Sequence, residues 1–359
     1  MAGDILVFVG TYTRSGSEGV YLYEMDAGTG ALRLVTAAPR VESPSYLAIA
    51  ADGRHVYTVS EVEEFAGRRS GAVSAFAFDP ARRAFTLINQ QPSEGNGPCH
   101  IAVEPTGRYA LVANYGGGSV AMLPIGSGGG LDPATAFVQH AEADADPQQP
   151  TKARAHSMFI DPSGALVFCA DLGLDRIFCY RMDLEQGRLL PHDPPHTDLA
   201  PGSGPRHLAF HPSGRYLYAI TELGNTVVTF AYDAAAGRLR QVQTVSTLPP
   251  GYTGKSYCAD VHVSADGRFL YGSNRGHESI AVFGIDGATG QLALLGLTPC
   301  GGEHPRSFGI DPTGRFLLVA NGHSDNIVVF RRDAVSGALT PAGQEVRLAA
   351  PVCVKMRRA

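Results

Sequence analysis

Ionisable and polar side chains recur in this sequence at two fixed distances from a short glycine turn. One set stands seven or eight residues before a turn glycine: Ser45, His100, His156, Arg206, Asp260 and Arg306. A second set stands seven or eight residues after it: Glu61, Asn114, Asp171, Glu222, Asn274 with Arg275, and Asn321. Arginines next to carboxylates and imidazoles can hold an anionic substrate, stabilise an oxyanion and move a proton. If the fold brings these positions together, the spacing predicts an acid–base site.

The turns that set this spacing form an internal repeat. Their glycines lie 47 to 57 residues apart, at Gly53, Gly107, Gly164, Gly214, Gly267 and Gly314. Glycine can adopt the positive φ that tight hairpins require, and apolar, β-favouring runs flank each turn. Two further apolar runs follow in each repeat, as in 326–330 and 337–340. Four short strands at this period are typical of a β-propeller blade.

Six repeats are complete, and a seventh is divided between the two ends of the chain. Its first strand is predicted over 350–355 and its other three over 5–10, 19–23 and 31–35, with Gly3 at the place of the turn glycine. The sequence therefore predicts an all-β fold, a seven-bladed β-propeller with four antiparallel strands per blade. Its seventh blade is closed by the N- and C-terminal strands, in a single domain over residues 1–359. A β-sandwich is disfavoured, because six turns recur in near register.

This fold would gather the two polar sets. The glycine turn joins strands one and two of a blade, so the start of strand one and the end of strand two meet at the opposite face. Strand one is the innermost strand of a blade, and the first set is therefore predicted to line the mouth of the central channel. The alternative is structural, because cations and carboxylates at strand ends can simply neutralise one another.

Composition narrows the function classes. The net charge of −5 disfavours nucleic acid as a partner, and the absence of Trp excludes repeats of the WD type. No apolar stretch approaches the ~20 residues of a membrane span, so no membrane partner is expected and the protein is predicted to be cytoplasmic. Six cysteines form no CxxC pair, which indicates buried thiols rather than a disulfide framework.

Signals for metal binding are weak, and neither a metal nor a cofactor is predicted. The pairs His192/His196 and His207/His211 have a helical metal-site spacing but lie in a Pro-rich loop and on a strand. The acidic stretch 140–146 lacks the spaced oxygen ligands of a calcium loop and is interpreted as a solvent-exposed connection.

Five stretches resemble the lactonase family of β-propellers, which includes propeller-type 6-phosphogluconolactonases and fungal carboxymuconate-cyclising enzymes. The matching stretches are 204–212 (GPRHLAFHP), 221–225 (TELGN), 259–263 (ADVHV), 273–277 (SNRGH) and 304–308 (HPRSF). The resemblance implies a metal-free site with these catalytic residues: His156, Arg206, Glu222 and Arg275. The chain departs from the pattern at Arg154, where many relatives carry the first histidine of Pro-His-x-His-Ser.

The leading hypothesis is hydrolysis of a sugar-acid lactone, with 6-phosphogluconolactone as the first candidate. Glu222 or His156 would act as general base, and Arg206 and Arg275 would stabilise the oxyanion or the carboxylate formed. Arg306, alone or with His207, would bind a phosphate. The expected substrate-binding residues are His100, Asn114, His207, Asp260 and Arg306.

Three alternatives remain open at this point. The same arginines and acid–base groups could serve a carboxymuconate-type lactonising cycloisomerase. A non-enzymatic propeller that binds protein partners and a metal-dependent gluconolactonase are the others. The expected ligand in both metal-free enzymatic readings is a small anionic lactone or carboxylate. The sequence makes no prediction of the oligomeric state.

Overall fold

The computed structural model describes residues 5–13, 16–140 and 152–359. The turn predicted at Gly3 and residues 141–146 of the acidic stretch lie outside these ranges. The regular structure of the described residues is entirely β, with strands β1 to β28 in seven antiparallel sheets of four strands each and no α-helix. In the same ranges, no helix has the length and apolarity needed to cross a membrane.

The chain divides into two compact units. The middle unit is Ala38–Arg206, and the terminal unit combines Met1–Ala37 with His207–Ala359. Three of the seven sheets belong to the middle unit and four to the terminal unit, counting the sheet whose first strand begins at the boundary. The single domain over residues 1–359 stays a prediction.

The sheets of the middle unit each follow chain order. The first contains β4 (Leu47–Ile49), β5 (His55–Ser60), β6 (Ala72–Asp79) and β7 (Ala84–Pro92). The second contains β8 (Pro98–Val103), β9 (Tyr109–Asn114), β10 (Ser119–Pro124) and β11 (Ala136–Gln139). The third contains β12 (Ala155–Ile160), β13 (Leu166–Asp171), β14 (Arg176–Asp183) and β15 (Arg188–Asp198).

Three sheets of the terminal unit also follow chain order. The first contains β16 (Pro205–Phe210), β17 (Tyr216–Thr221), β18 (Thr226–Asp233) and β19 (Arg238–Ser246). The second contains β20 (Tyr257–Val263), β21 (Phe269–Arg275), β22 (Ser279–Ile285) and β23 (Leu292–Pro299). The third contains β24 (Pro305–Ile310), β25 (Phe316–Asn321), β26 (Asn326–Arg332) and β27 (Leu339–Arg347).

The fourth sheet of the terminal unit joins the two ends of the chain. Its strands run in the order β28 (Pro351–Arg358), β1 (Ile5–Thr11), β2 (Val20–Met25) and β3 (Leu32–Ala37). Val9 lies opposite Val354, and Phe8 lies opposite Leu22, both in antiparallel pairs. The prediction that the terminal strands share one sheet is confirmed, and the observed strands extend beyond the predicted ones by one to three residues at their C-terminal ends.

The glycine turns have the predicted backbone conformation. All six turn glycines have φ between 65° and 76°, a region that other residues rarely adopt. A Cβ at Gly267 would also lie only 2.6 Å from Nε2 of His211. Glycine is therefore required at this turn for both its backbone freedom and its lack of a side chain.

Buried tyrosines link neighbouring sheets within each unit. The Tyr218 hydroxyl donates to the Gly290 carbonyl at 3.0 Å, and the Tyr271 hydroxyl donates to that of Gly337 at 2.8 Å. In each case strand two of one sheet reaches a turn of the next sheet along the chain. Burial raises the pKa of Tyr271 to about 12, so the hydroxyl keeps the proton that it donates. Because a hydrogen bond is directional and apolar packing is not, these hydroxyls help to fix how neighbouring sheets are oriented.

Apolar side chains fill the space between adjacent sheets. In the terminal unit, Ile220, Val261 and Phe283 belong to one buried cluster, while Val7 and Phe316 belong to another that covers the sheet of the chain ends. Each such fully buried side chain contributes roughly 1.5–3 kcal/mol relative to an exposed one. These cores hold strands one and two of each sheet in place, and those strands carry the candidate site residues.

Candidate functional site

Bulges at the start of strand one place two of the candidate side chains. In the middle unit, the pairing of β12 with β13 shifts between Ala155 and Ser157, which leaves His156 as the extra residue. In the terminal unit, the pairing of β24 with β25 shifts in the same way around Arg306. A bulge re-aims its extra side chain and is frequent beside active sites. The pairing of β8 with β9 shifts in the same way around Cys99, so the bulge is a repeated feature of strand one that places His156 and Arg306 at matching positions of their strands.

Glu222 and Arg275 form an ion pair in the terminal unit. Nη2 of Arg275 lies 2.6 Å from Oε2 of Glu222. The guanidinium is also anchored on the backbone, because Nη2 donates to the Cys258 carbonyl at 2.8 Å and Nε to that of Tyr257 at 3.3 Å. The two side chains are 9% and 16% exposed. The arginine is thus held in a fixed orientation at a point that solvent reaches.

Asp260 is the centre of a buried hydrogen-bond network in the terminal unit. Its Oδ1 accepts from Nδ1 of His207 at 2.8 Å, and its Oδ2 accepts from the Ser307 hydroxyl at 3.0 Å. Nε2 of His262 lies 3.3 Å from Oδ2. Burial opposes the charged carboxylate, but the electrostatic attraction of the neighbouring His262 and His207 side chains and the hydrogen bond from His207 outweigh it and hold the pKa of Asp260 well below its usual range. Asp260 is therefore an anion that orients His207 through Nδ1.

Arg306 contacts an aromatic residue that the sequence did not single out. Its guanidinium carbon lies 5.6 Å from the centre of the Tyr12 ring. Tyr12 directly follows β1, and its backbone N–H donates to the Ala350 carbonyl at 3.1 Å. The sheet that joins the two chain ends thus contributes a side chain next to a predicted substrate-binding arginine.

His156 lies among a thiol and an aromatic ring in the middle unit. Sγ of Cys99 lies 3.7 Å from Nδ1 of His156 and donates to its carbonyl at 3.1 Å. The Tyr115 ring meets the imidazole edge to face, with centres 5.3 Å apart. These neighbours fix the imidazole plane, as an acid–base group requires.

The other two candidates of the middle unit are more deeply enclosed. Nδ1 of His100 accepts the Met158 backbone N–H at 3.3 Å, and its ring packs on Tyr46 with centres 4.3 Å apart. Arg206 is 2% exposed, and its carbonyl accepts the Ser157 hydroxyl at 2.7 Å. Roles for His100 and Arg206 in substrate binding and catalysis stay predictions.

Asn114 has its side chain engaged within the protein. Its amide nitrogen donates to the Ser93 carbonyl at 3.0 Å and lies 3.2 Å from the Ser119 hydroxyl. Its side chain is fully buried. This geometry favours a structural role that ties adjacent sheets, and the substrate contact predicted for Asn114 stays a prediction.

Asp171, which was placed with the polar ring, belongs to a sealed network in the middle unit. Its Oδ2 accepts from Nδ1 of His140 at 2.6 Å, and the Tyr180 hydroxyl donates to Nε2 of the same imidazole at 2.8 Å. The exposed connection predicted from residue 140 is wrong for His140, which is buried. Its burial is tolerated because both ring nitrogens have partners.

One step along strand two separates the structural side chains from the candidate site. Asn114, Thr221 and Asn274 are each the last residue of strand two that pairs with strand three. The residue after each of them is Tyr115, Glu222 or Arg275. Successive side chains of a strand point to opposite faces, so the two sets have different surroundings. Tyr115 could therefore have been identified as a candidate from its position directly after the last paired residue of strand two.

Groups suited to a metal ion were sought among the described residues. Over residues 5–13, 16–140 and 152–359, no three or more His, Cys, Asp or Glu side chains are arranged to hold one. All six cysteines are buried as the sequence predicted, and none of them forms a disulfide. Burial raises the pKa of Cys179 to about 12 and that of Cys300 to about 11.

Comparison with known proteins gives consistent relatives over nearly the whole chain. A family model described as lactonase, 7-bladed beta-propeller, matches residues 6–356. A 6-phosphogluconolactonase of Bacillus subtilis is 36% identical over 348 residues, which are 97% of each chain. A 6-phosphogluconolactonase of Formosa agariphila is 33% identical, over 86% of this chain and 87% of its own.

A solved structure supports the same grouping. The periplasmic gluconolactonase of Pseudomonas aeruginosa superposes with a TM-score of 0.92 at 37% identity, over 99% of both chains. Its similarity extends over all seven sheets described above, including the one that joins the chain ends.

Proposed function

Because the chain belongs to the lactonase family of seven-bladed β-propellers, we propose that it is a lactonase that hydrolyses a sugar-acid lactone, with 6-phosphogluconolactone as the first candidate. Family membership confirms the predicted all-β propeller of seven four-stranded blades. Within the structure, the observation that supports the proposal most is the Arg275–Glu222 pair, whose arginine is held by two backbone carbonyls and whose side chains solvent partly reaches.

The reaction adds water across the ester bond of the lactone ring. The water oxygen bonds to the carbonyl carbon, the bond to the ring oxygen breaks, and a proton ends on the hydroxyl released. We assign Arg275 to the oxyanion of the tetrahedral intermediate, because its guanidinium is already oriented and needs little rearrangement. Arg206 is kept as the second arginine for the oxyanion or the carboxylate formed.

The proton acceptor is assigned to Glu222 or His156. Glu222 lies beside the arginine that is assigned to the oxyanion, so its carboxylate is proposed to accept the proton of the attacking water close to where the negative charge develops. His156 is the extra residue of a bulge and is fixed by Cys99 and Tyr115. A positioned base of either kind contributes roughly 10²–10⁴-fold to the rate.

The remaining predicted residues are assigned to substrate contact. Nδ1 of His207 is held by Asp260, which orients the imidazole that is assigned to substrate contact. Arg306 offers its guanidinium beside the Tyr12 ring. Roles in substrate binding for His100 and Asn114 complete the set. The named relatives are 6-phosphogluconolactonases, which favours hydrolysis over the cyclising alternative.

The test is direct hydrolysis by the purified protein. Loss of 6-phosphogluconolactone and of glucono-δ-lactone is followed with and without EDTA, against the spontaneous rate. Wild-type protein is expected to accelerate the loss of at least one lactone, and Glu222→Gln and Arg206→Ala to abolish most of that acceleration. Folded variants that retain the full rate would overturn the assignment of the site.

The cytoplasm is the proposed location. Free, buried cysteines are usual in reducing compartments. A solved relative is described as periplasmic, so cell fractionation with an antibody decides the question. Recovery in the periplasmic fraction would contradict the proposal.

A further inference from the structure

Arg154 stacks on the aromatic ring that contacts His156. Its guanidinium carbon lies 4.8 Å from the centre of the Tyr115 ring, and the His156 ring centre lies 5.3 Å from the same point. The three side chains therefore form one continuous group in the middle unit. The cation and the imidazole are at most about 10 Å apart, since both contact the same ring. That separation can be spanned by a phosphorylated hexose.

The backbone of Arg154 is fixed on both sides. Its N–H donates to Oδ1 of Asp171 at 2.8 Å, and its carbonyl accepts the Leu172 N–H at 3.0 Å. A Cβ at Gly173 would lie 1.8 Å from the Lys152 carbonyl oxygen, so the two segments pack too closely for any other residue there. The sealed Asp171 network thus serves as a rigid support. An arginine on a fixed backbone loses less entropy when it binds a ligand.

The guanidinium lacks a protein anion among the described residues. It is partly exposed, and within residues 5–13, 16–140 and 152–359 its charge meets the Tyr115 face but no carboxylate within ion-pair distance. Arg275, in contrast, is paired with Glu222. An arginine that stacks on an aromatic face keeps the N–H groups of its edge for a planar or tetrahedral oxyanion.

We propose that Arg154 determines substrate specificity by binding the phosphate of a phosphorylated sugar lactone, while His156 acts at the lactone ring. The inference rests on the proposed lactonase function and adds the residue that recognises the phosphate. Phosphate matches the guanidinium fork through two charge-assisted hydrogen bonds. A histidine at this position, as the resemblance leads one to expect, would be mostly neutral at pH 7 and would bind phosphate less well.

The kinetic test compares two substrates that differ only in the phosphate. The kcat and KM of wild-type protein and Arg154→Ala are measured on 6-phosphogluconolactone and on glucono-δ-lactone. The variant is expected to lose about 10- to 100-fold in kcat/KM on the phosphorylated lactone, through KM, because one charged hydrogen-bonded contact is removed. On the neutral lactone its kcat/KM is expected to stay within about twofold of wild type.

Three further variants make the result specific. Arg188→Ala is the matched control, because it removes an exposed arginine of the same unit that pairs with Asp183, and it is expected to change neither substrate. Arg154→Lys keeps the charge without the fork and is expected to lie between wild type and Arg154→Ala. Arg306→Ala tests the competing assignment of the phosphate. Thermal unfolding of each variant establishes that it is folded.

Direct binding separates this inference from the proposed function. Titration calorimetry with 6-phosphogluconate and with gluconate measures phosphate recognition without turnover. Wild-type protein is expected to bind the phosphorylated acid more tightly, and Arg154→Ala to lose that preference. Hydrolysis of neither lactone by wild type would refute the proposed function, and this binding preference would still test Arg154.

Several outcomes would overturn the inference. They are equal loss by Arg154→Ala on both lactones, unchanged kinetics on both, and equal weakening of gluconate and 6-phosphogluconate binding. A wild-type protein with no preference for the phosphorylated acid would also overturn it. So would selective loss of the phosphorylated lactone by Arg306→Ala with no such loss by Arg154→Ala.

Discussion

Two polar groups near the ends of strand two in their sheets differ in their access to solvent. In the middle unit, Asp171 and His140 have side chains 0% and 1% exposed, and each imidazole nitrogen has a partner inside the protein. In the terminal unit, Glu222 and Arg275 are 16% and 9% exposed. A completed network stabilises the fold and leaves nothing for a ligand. In a charged pair that solvent partly reaches, one side chain can exchange its partner for a substrate.

The difference follows from the position of each residue on strand two. Asp171 is the last residue of β13 that pairs with β14, whereas Glu222 follows the last paired residue of β17. Alternation along a strand sends one side chain between the sheets and the next away from them. The same chemistry is therefore structural at one position and available for reaction at its neighbour.

The sealed network should give the largest loss of stability when it is broken. Asp171→Ala leaves the buried His140 without its carboxylate and is expected to lower the free energy of unfolding by about 3–5 kcal/mol. Urea unfolding measures the loss, and turnover of glucono-δ-lactone per folded molecule is expected to stay near the wild-type value. If Asp171→Ala lost turnover and kept its stability, the Asp171 network would belong to the site rather than to the scaffold.

The Arg275–Glu222 pair should show the opposite pattern, with a large loss of activity and a small loss of stability. Arg275→Ala removes an oriented oxyanion donor and is expected to lower kcat/KM about 10²- to 10³-fold. Its unfolding free energy should fall by less than that of Asp171→Ala, because Glu222 can be solvated where it stands. The same urea titration and a lactone assay provide both values. A large loss of stability in Arg275→Ala would make this pair structural as well.

The contribution of the Asp260 network to stability is expected to depend on pH. The pKa of Asp260 is lower in the folded protein than its ordinary value, so its stabilising effect is present above that value and is lost as the pH falls through the folded pKa. Asp260→Asn is expected to be less stable than wild type by about 2–3 kcal/mol at pH 7. The difference in unfolding free energy between wild type and Asp260→Asn should narrow below about pH 4. Urea unfolding at pH 7, 5 and 3.5 measures it, and a gap that widened in acid would contradict the account.

The smallest effect is expected at the end of the sealed network. Tyr180→Phe removes the hydroxyl that donates to Nε2 of His140 and should lower the unfolding free energy by about 1 kcal/mol. Burial raises the pKa of Tyr180, so the hydroxyl is protonated at every pH of the test. Tyr257→Phe, at an exposed tyrosine of the terminal unit, is a control for removing a hydroxyl. Equal stability of Tyr180→Phe and wild type would mean that the hydrogen bond to His140 contributes nothing.

The sheets could be predicted because a turn glycine is visible in the sequence, whereas a bulge is not. Gly53 and its five equivalents fix the hairpins, and both ends of the chain could be assigned to one sheet by the same pattern. Counting from the glycine gave two neighbouring candidates, such as Asn274 and Arg275, without showing which one faces the site. Bulges at His156 and Arg306 add one residue to strand one and depend on the paired strand.

Contacts between residues far apart in the sequence could not be predicted either. His140 was interpreted as the start of an exposed connection, since nothing next to it in sequence indicates Asp171 and Tyr180 as its partners. Tyr12 and Tyr115 were missed because a single aromatic residue after a strand has no distinctive local pattern. Such contacts arise only when separate sheets pack.

The most direct measurement compares two adjacent residues of β21. Asn274 has its amide bonded to the Thr247 carbonyl at 2.9 Å, while Arg275 contacts Glu222. Asn274→Ala and Arg275→Ala are measured together for urea unfolding and for kcat/KM on 6-phosphogluconolactone. We predict that Asn274→Ala loses stability and keeps its kcat/KM, and that Arg275→Ala loses kcat/KM and keeps most of its stability. The reverse result, or equal loss of kcat/KM in both variants, would contradict the division between scaffold and site.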